Sequence, residues 1–221
     1  MSQLSCLGAG DGEELTNAST HEPTTDRGRA TKQALLEAAE QVFLEESYDR
    51  ASVAEITRRA GVAQGTFYLY FPDKKAAFGD LVRKLNREMR RHIAEAVSGV
   101  TDRIEMERVG FRAFFDYITE HNSVYRVVRE AEFVDIDLYN WHYDTLVDGY
   151  RRGLSAAADQ GQICRDISPE TLAWILMGIA EFQGGHWIIG QGAPPPDEVL
   201  DQIMLFIERG VGRPAQAAGA A

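Results

Sequence analysis

Gln64, Gly65, Thr66, Tyr68, Leu69 and Tyr70 stand within seven consecutive positions, with Lys74 four residues further on. Each type suits contact with a nucleic acid. A Gln amide can pair bidentately with adenine, and a Thr can bond phosphate or touch a thymine methyl, as the apolar Leu69 can. Gly65 lets backbone come close. Tyr68, Tyr70 and Lys74 offer donors to phosphate, which set register without reading sequence. Phe67 and Phe71, spaced i and i+4, point the other way and supply a core. Bond-making chemistry has no comparable set. His92, His121, His142 and His186 are scattered, and no H-E-x-x-H, C-x-x-C, G-x-S-x-G or Gly-rich phosphate loop occurs. No catalytic residue, metal site or cofactor is therefore expected. The acidic run Glu130, Glu132, Asp135 and Asp137 reads as a solvated helix end rather than a cation site.

Positioning those residues takes short helices. Ser52 followed by Glu55 is a capping-box pattern, in which two side chains satisfy free backbone donors reciprocally. Val53, Ile56 and Ala60 then share one helical face, and Gly61 stops the helix because it takes a positive φ without steric cost. A second helix is expected from about Ala63 to Tyr70. Pro72 ends it and Asp73 can cap the next. Two short helices joined by a tight Gly turn describe a helix-turn-helix, whose second helix enters the DNA major groove. Ser52, at its start, is counted with the DNA-facing residues. A preceding helix from about Thr31 to Glu46 carries Leu35, Ala38, Ala39 and Val42 as an apolar stripe. A following helix runs from Lys74 to about Val97. Arg27 and Arg29 lie just ahead of the first helix as a possible basic arm.

The stretch from about Arg29 to Leu81 resembles the DNA-binding domain of the TetR family of bacterial transcriptional regulators. The resemblance rests on Ala38-Ala39 with Val42-Phe43, Ser52-Val53 with Ile56, Ala60-Gly61-Val62, Gly65-Thr66-Phe67-Tyr68, and Phe71-Pro72 with Lys74. It implies an all-α protein in which a three-helix head is followed by a helical ligand-binding and dimerisation bundle, with the fourth helix linking them. It also implies a homodimer on a palindromic double-stranded operator. Two departures bear on DNA affinity: Ala63-Gln64 stands where many relatives have Ser-Lys, and Tyr70 where many have His.

Charge is distributed to match. Of 221 residues with a net charge of −11, residues 1–26 hold five acids and no Lys or Arg, residues 27–91 hold 13 basic and nine acidic residues, and residues 92–221 hold ten and 20. Positive charge thus gathers around the helix-turn-helix, where phosphate affinity depends on the local field. No apolar run approaches the ~20 residues of a membrane span, and the N-terminus has no secretory pattern. Cys6 and Cys164 are the only cysteines, so a reducing cytoplasm is the simpler context and a thiol sensor at Cys164 the lesser alternative.

The expected organisation is a tail over 1–26, a DNA-binding domain over 27–80, a ligand-binding and dimerisation domain over 81–212, and a second tail over 213–221. The second domain reads as helical throughout, with Asp102 and Ser168-Pro169 as start signals and helices to about Glu120, Gln160, Ile189 and Glu208. Its aromatic residues suggest a pocket for a small hydrophobic effector, lined by Phe115, Tyr125, Trp141, Trp174, Phe182 and Trp187. Arg126 and Arg129 at the rim would suit an acyl-CoA or an aromatic acid. The helices near 169–189 and 197–208 are expected to form the dimer interface, with Ile203 a candidate for the partner-facing side. Together these features describe a ligand-responsive transcriptional regulator acting as a repressor. The alternative is a ligand-independent DNA-architectural or co-regulatory module.

Overall fold

The computed structural model describes residues 23–211. Most of the two expected tails, with Cys6, lies outside the described residues. Nine α-helices appear among the described residues, and no strand. They are α1 (Asp26–Arg50), α2 (Val53–Ala60), α3 (Gln64–Phe67), α4 (Lys74–Ala96), α5 (Arg103–Glu120), α6 (Ser123–Val134), α7 (Ile136–Asp159), α8 (Pro169–Gly184) and α9 (Asp197–Val211). A π-helical segment, Gly185–Gln191, continues α8.

These elements form two compact units that do not follow chain order. One holds the described residues up to 87 together with 123–142; the other holds 88–122 and 143 to the end of α9. Helices α4 and α7 each begin in the first unit and end in the second.

In the first unit, which we call the head, the apolar stripe of α1 packs as its spacing requires. Leu35, Val42, Ile56, Phe67, Phe71, Phe78 and Leu81 are all buried, each worth about 1.5–3 kcal/mol relative to exposure. Phe43, Tyr48 and Phe78 make an aromatic trio at centroid separations of 5.1–5.8 Å. The start of α1 lies five residues earlier than its periodicity suggests, because Thr25 caps it by accepting from the Gly28 amide. Arg27 and Arg29 are therefore in its first turn rather than ahead of it. Near its other end α1 is broken at Ser47, whose φ of 64° and ψ of 162° place it where essentially only glycine is comfortable, at a cost of about 1–3 kcal/mol.

The second unit, the body, packs α5 against α8 and α9. Its core includes Phe111, Phe115, Ile118, Leu154, Leu172, Leu176, Leu200 and Met204. Arg108 and Arg112 on α5 reach Asp201 and Asp197 on α9 at 2.5 and 2.7 Å. Ser168 caps α8 by accepting from the Thr171 amide, with Pro169 at the first helical position, where its missing N–H costs nothing. Asp102 caps α5 in the same manner. Ser123, the first residue of α6, donates to Glu40 of α1 at 2.5 Å.

Candidate nucleic-acid interface

Helix α2 starts and stops where the sequence puts it. Ser52 Oγ accepts from the Glu55 amide at 3.1 Å, and Gly61 closes the helix at φ 68°. Only half of the capping box forms. Glu55 turns its carboxylate to Arg58 and Arg59 at 2.6–2.8 Å, and Arg59 continues to Glu45 at 2.7 Å. Hydrogen bonds first from Arg58 and then from Arg59 hold the Glu55 carboxyl down to about 2. Ser52 is thus engaged as a helix cap, with its residue exposed.

Regular α3 is shorter than expected, Gln64–Phe67, because the chain then tightens. The Leu69 and Tyr70 amides bond to carbonyls three residues back, those of Thr66 and Phe67, the pattern that commonly closes a helix. Phe67 and Phe71 plug into the head. On the opposite side Tyr68 is 53% and Leu69 68% exposed, and Gln64 and Gly65 are exposed as well. A Cβ placed on Gly65 would meet nothing within 4 Å, so the glycine leaves open space there rather than relieving a clash.

Beside this helix lies an open groove of about 390 Å³, lined by Thr25, Arg27, Gly28 and Thr31 of the α1 start and by Val62, Ala63, Thr66 and Tyr70. Gly28 makes it possible. A Cβ there would come within 2.8 Å of Pro23 Cβ and 3.7 Å of the Tyr70 hydroxyl. The groove offers an exposed Arg27, the hydroxyls of Thr66 and Tyr70, and the positive end of α1, a combination that can hold a phosphate. Sequence reasoning placed Thr66 and Tyr70 in the site and missed Thr25, Gly28 and Val62. The one available signal was the Thr25–Gly28 cap, hidden in an acidic, Thr-rich stretch.

Lys74 does something other than reach for phosphate. Its ammonium donates to the carbonyls of Tyr48, Asp49 and Ala51 at 2.6, 3.4 and 2.9 Å and sits 4.3 Å from the Tyr48 ring centre. Those contacts use the three N–H donors of an ammonium. The acidic run is likewise engaged within the head: Glu130 accepts from the Tyr48 amide, and Asp135 pairs with Lys75 at 3.0 Å.

The residues proposed for an effector pocket are divided between the units. Tyr125, Arg126, Arg129 and Trp141 belong to the head, and Phe115, Trp174, Phe182 and Trp187 to the body. Arg126 donates to the Leu44 carbonyl of α1 at 3.1 Å, and Trp141 lies under the Arg83 guanidinium. In the body Trp174 packs beside Tyr143, and Phe182 is 84% exposed. Ile203 is buried within its own chain, while Leu205 and Phe206 on α9 are exposed. The body also buries a charged cluster. Arg103 Nε donates to Glu107 at 2.7 Å, Tyr150 donates to the other Glu107 oxygen, and the guanidinium lies over the Tyr150 ring.

A helix-turn-helix that exposes Tyr68 and Leu69 just after its second helix, carried on described residues that are otherwise helical, has the features of a DNA-binding regulator. Residues 35–80 match the family model of the bacterial regulatory proteins of the tetR family. The uncharacterized HTH-type transcriptional regulator YvdT of Bacillus subtilis is 24% identical over 80% of this chain and 93% of its own length. The HTH-type transcriptional regulator EthR of Mycobacterium tuberculosis is 28% identical over 86% of this chain and 94% of its own. Among solved structures, the transcriptional regulator FadR of B. subtilis, in complex with stearoyl-CoA, superposes with a TM-score of 0.70 at 18% identity, covering 79% of this chain and 96% of FadR. The helix-turn-helix is thus similar to that of the TetR family over residues 35–80. These relatives are regulators and not enzymes.

Proposed function

We propose that this protein is a cytoplasmic transcriptional repressor that binds a palindromic operator as a homodimer and is released by a small hydrophobic effector. The reading is carried by the exposed Tyr68 and Leu69 beside the groove of Arg27, Thr66 and Tyr70. Gln64 and Leu69 would face base edges, and Thr66, Tyr68, Tyr70 and Arg27 would hold phosphates on either side. A dimer would place two such helices about 34–36 Å apart in successive major grooves. Its interface would be the exposed apolar face of Trp174, Ile175 and Phe182 on α8, Ile189, and Leu205 and Phe206 on α9. An effector favours release only through differential affinity for the two states of the dimer. An acyl-CoA or an aromatic acid is the class proposed, held among body aromatics such as Phe115 and Trp187. The stearoyl-CoA bound by FadR supports an acyl-CoA.

Selection of bound duplexes from a random pool tests the DNA side. Enrichment of an inverted repeat is expected, and no enrichment overturns the reading. Titration of the selected complex with acyl-CoAs, aromatic acids and hydrophobic cations, followed by tryptophan fluorescence, tests the effector. Release by cations alone overturns the anionic class.

A further inference from the structure

Residues 47–51 join α1 to α2 and are gripped from two sides. Ser47 sits in the glycine-only backbone region, and the Ala51 amide bonds back to its carbonyl at 3.0 Å, so residues 48–50 form a single isolated turn. At the amide end of that turn, the Tyr48 N–H points at both carboxylate oxygens of Glu130, at 3.2 and 3.1 Å. At the carbonyl end stands the Lys74 ammonium. An anion at the amide end and a cation at the carbonyl end are the arrangement that a helical turn's dipole favours. Glu130 belongs to α6 and Lys74 to α4. Helix α2 begins two residues after the turn, so the turn's orientation sets where α2 and α3 point.

Helix α6 is tied to α1 along its length: Ser123 to Glu40, Arg126 to the Leu44 carbonyl, and Glu130 to the Tyr48 amide. Only the last contact holds a strained conformation in place. Along the chain α6 is preceded by α5, which belongs to the body, and followed by α7, which ends there.

We propose that Glu130 is a positioning residue for DNA binding: its carboxylate holds the strained break at Ser47–Tyr48 closed and so seats the reading helices. The proposal rests on the DNA-binding reading above. When Glu130 withdraws, the Tyr48 amide loses its acceptor, the break at Ser47 relaxes, and α2–α3 lose their fixed seat.

The test uses the full chain and two readouts. The first, amide hydrogen exchange, needs no DNA. Glu130→Ala should speed exchange at Tyr48 and through residues 51–71 by about tenfold or more, as loss of a hydrogen bond to a charged group implies, with α5, α8 and α9 unchanged. Glu130→Gln, which keeps an acceptor oxygen, should lie between. Ser47→Gly, which removes the strain, should restore most of the protection to Glu130→Ala. Glu132→Ala, on the same helix, is the control and should change nothing.

The second readout is affinity for duplexes that the wild type selects from a random pool. Glu130→Ala should weaken it about tenfold without altering the dependence on salt, because no phosphate contact is lost. Uniformly faster exchange over the whole chain, or failure of Ser47→Gly to rescue, would mean that Glu130 merely stabilises the fold and would overturn the proposal. Absence of any selected duplex would overturn the DNA-binding reading instead, while exchange still decides whether Glu130 seats the helices.

Discussion

The head and the body handle charge and apolar surface in opposite ways. The head closes most of its large apolar side chains inside, with Leu69 on the reading helix and Phe133 and Ile136 where α6 meets α7 left out, and uses charged groups at its seams: Lys32 to Asp80, Lys84 to Glu40, Lys75 to Asp135 and Arg59 to Glu55. Most of these pairs are partly exposed, where each is worth about 0–1 kcal/mol. The body keeps its strongest charge cluster, Arg103–Glu107–Tyr150, inside and leaves Phe182 and Phe206 out. A surface built as the head's is suits a reversible polar partner. One built as the body's suits a lasting apolar contact.

The largest effect should come from the buried cluster. Glu107→Ala strands the Arg103 guanidinium in a dry site and should destabilise the protein by about 3–5 kcal/mol, read as a lower Tm. Losing Glu55, the hub of the head's surface network, should cost far less; equal losses would erase the contrast. Alkali probes the same cluster. Burial, reinforced by the Glu107 charge, raises the Tyr150 hydroxyl well above its ordinary value of 10.0. The unfolded chain therefore loses this proton first. Its contribution to stability is full below about pH 10 and declines as pH rises further. Tyr150→Phe should flatten that decline in denaturant titrations.

Next in size are substitutions on the body's apolar face. Phe206→Asp should give a folded monomer in light scattering at micromolar concentration and abolish cooperative binding to an inverted repeat. Ile203→Asp, at a site only 8% exposed, should unfold the body instead. Were Ile203→Asp a folded monomer and Phe206→Asp a dimer, the interface would lie elsewhere.

On the reading helix, Gln64→Ala should change base preference at one position by about 1–3 kcal/mol. Tyr68→Phe should weaken binding to all sequences alike and more modestly. Unchanged affinity and preference in both would remove α3 from the interface.

Acid should produce the smallest effect. The Glu55 carboxyl is held to about 2 against an ordinary 4.5, so its contribution is present above pH 4.5 and lost as pH falls toward 2. Glu55→Gln should shallow the acid limb of an unfolding curve over that range. An unchanged limb would mean that the arginines add nothing to stability.

Much of the head was legible in the sequence because its signals are local. The Ser52 cap, the Gly61 stop and the Phe67–Phe71 pair each lie within one or two turns of what they determine. Gln64, Tyr68 and Leu69 could be placed on the outer side for the same reason. What escaped is long-range or lacks its usual marker. Glu130 meets Tyr48 across 82 positions, a separation that leaves no periodicity to read. Ser47 adopts a glycine conformation without being glycine. Lys74 looked like a phosphate ligand because nothing local says that three carbonyls will converge on it. The aromatic residues of the later helices declare that they are apolar, but their division between two units depends on which helices pack together.

The π-helical segment after α8 carries a consequence for insertion and deletion. In it the Gly192 amide bonds to the carbonyl of Trp187, five residues back, so the winding holds surplus chain relative to an α-helix. Removing one residue between Gly185 and Gln191 would let the segment rewind as α-helix without breaking it. The tighter α turn would sweep with one residue fewer nearly the same angle as the wider π turn, so what lies downstream, α9 and Phe206 included, would keep its direction. The same deletion inside α8 has no surplus to draw on and would re-aim everything downstream by about 100°, the angular step of one α-helical residue. A single-codon deletion is thus absorbed in this segment and disruptive a turn or two earlier.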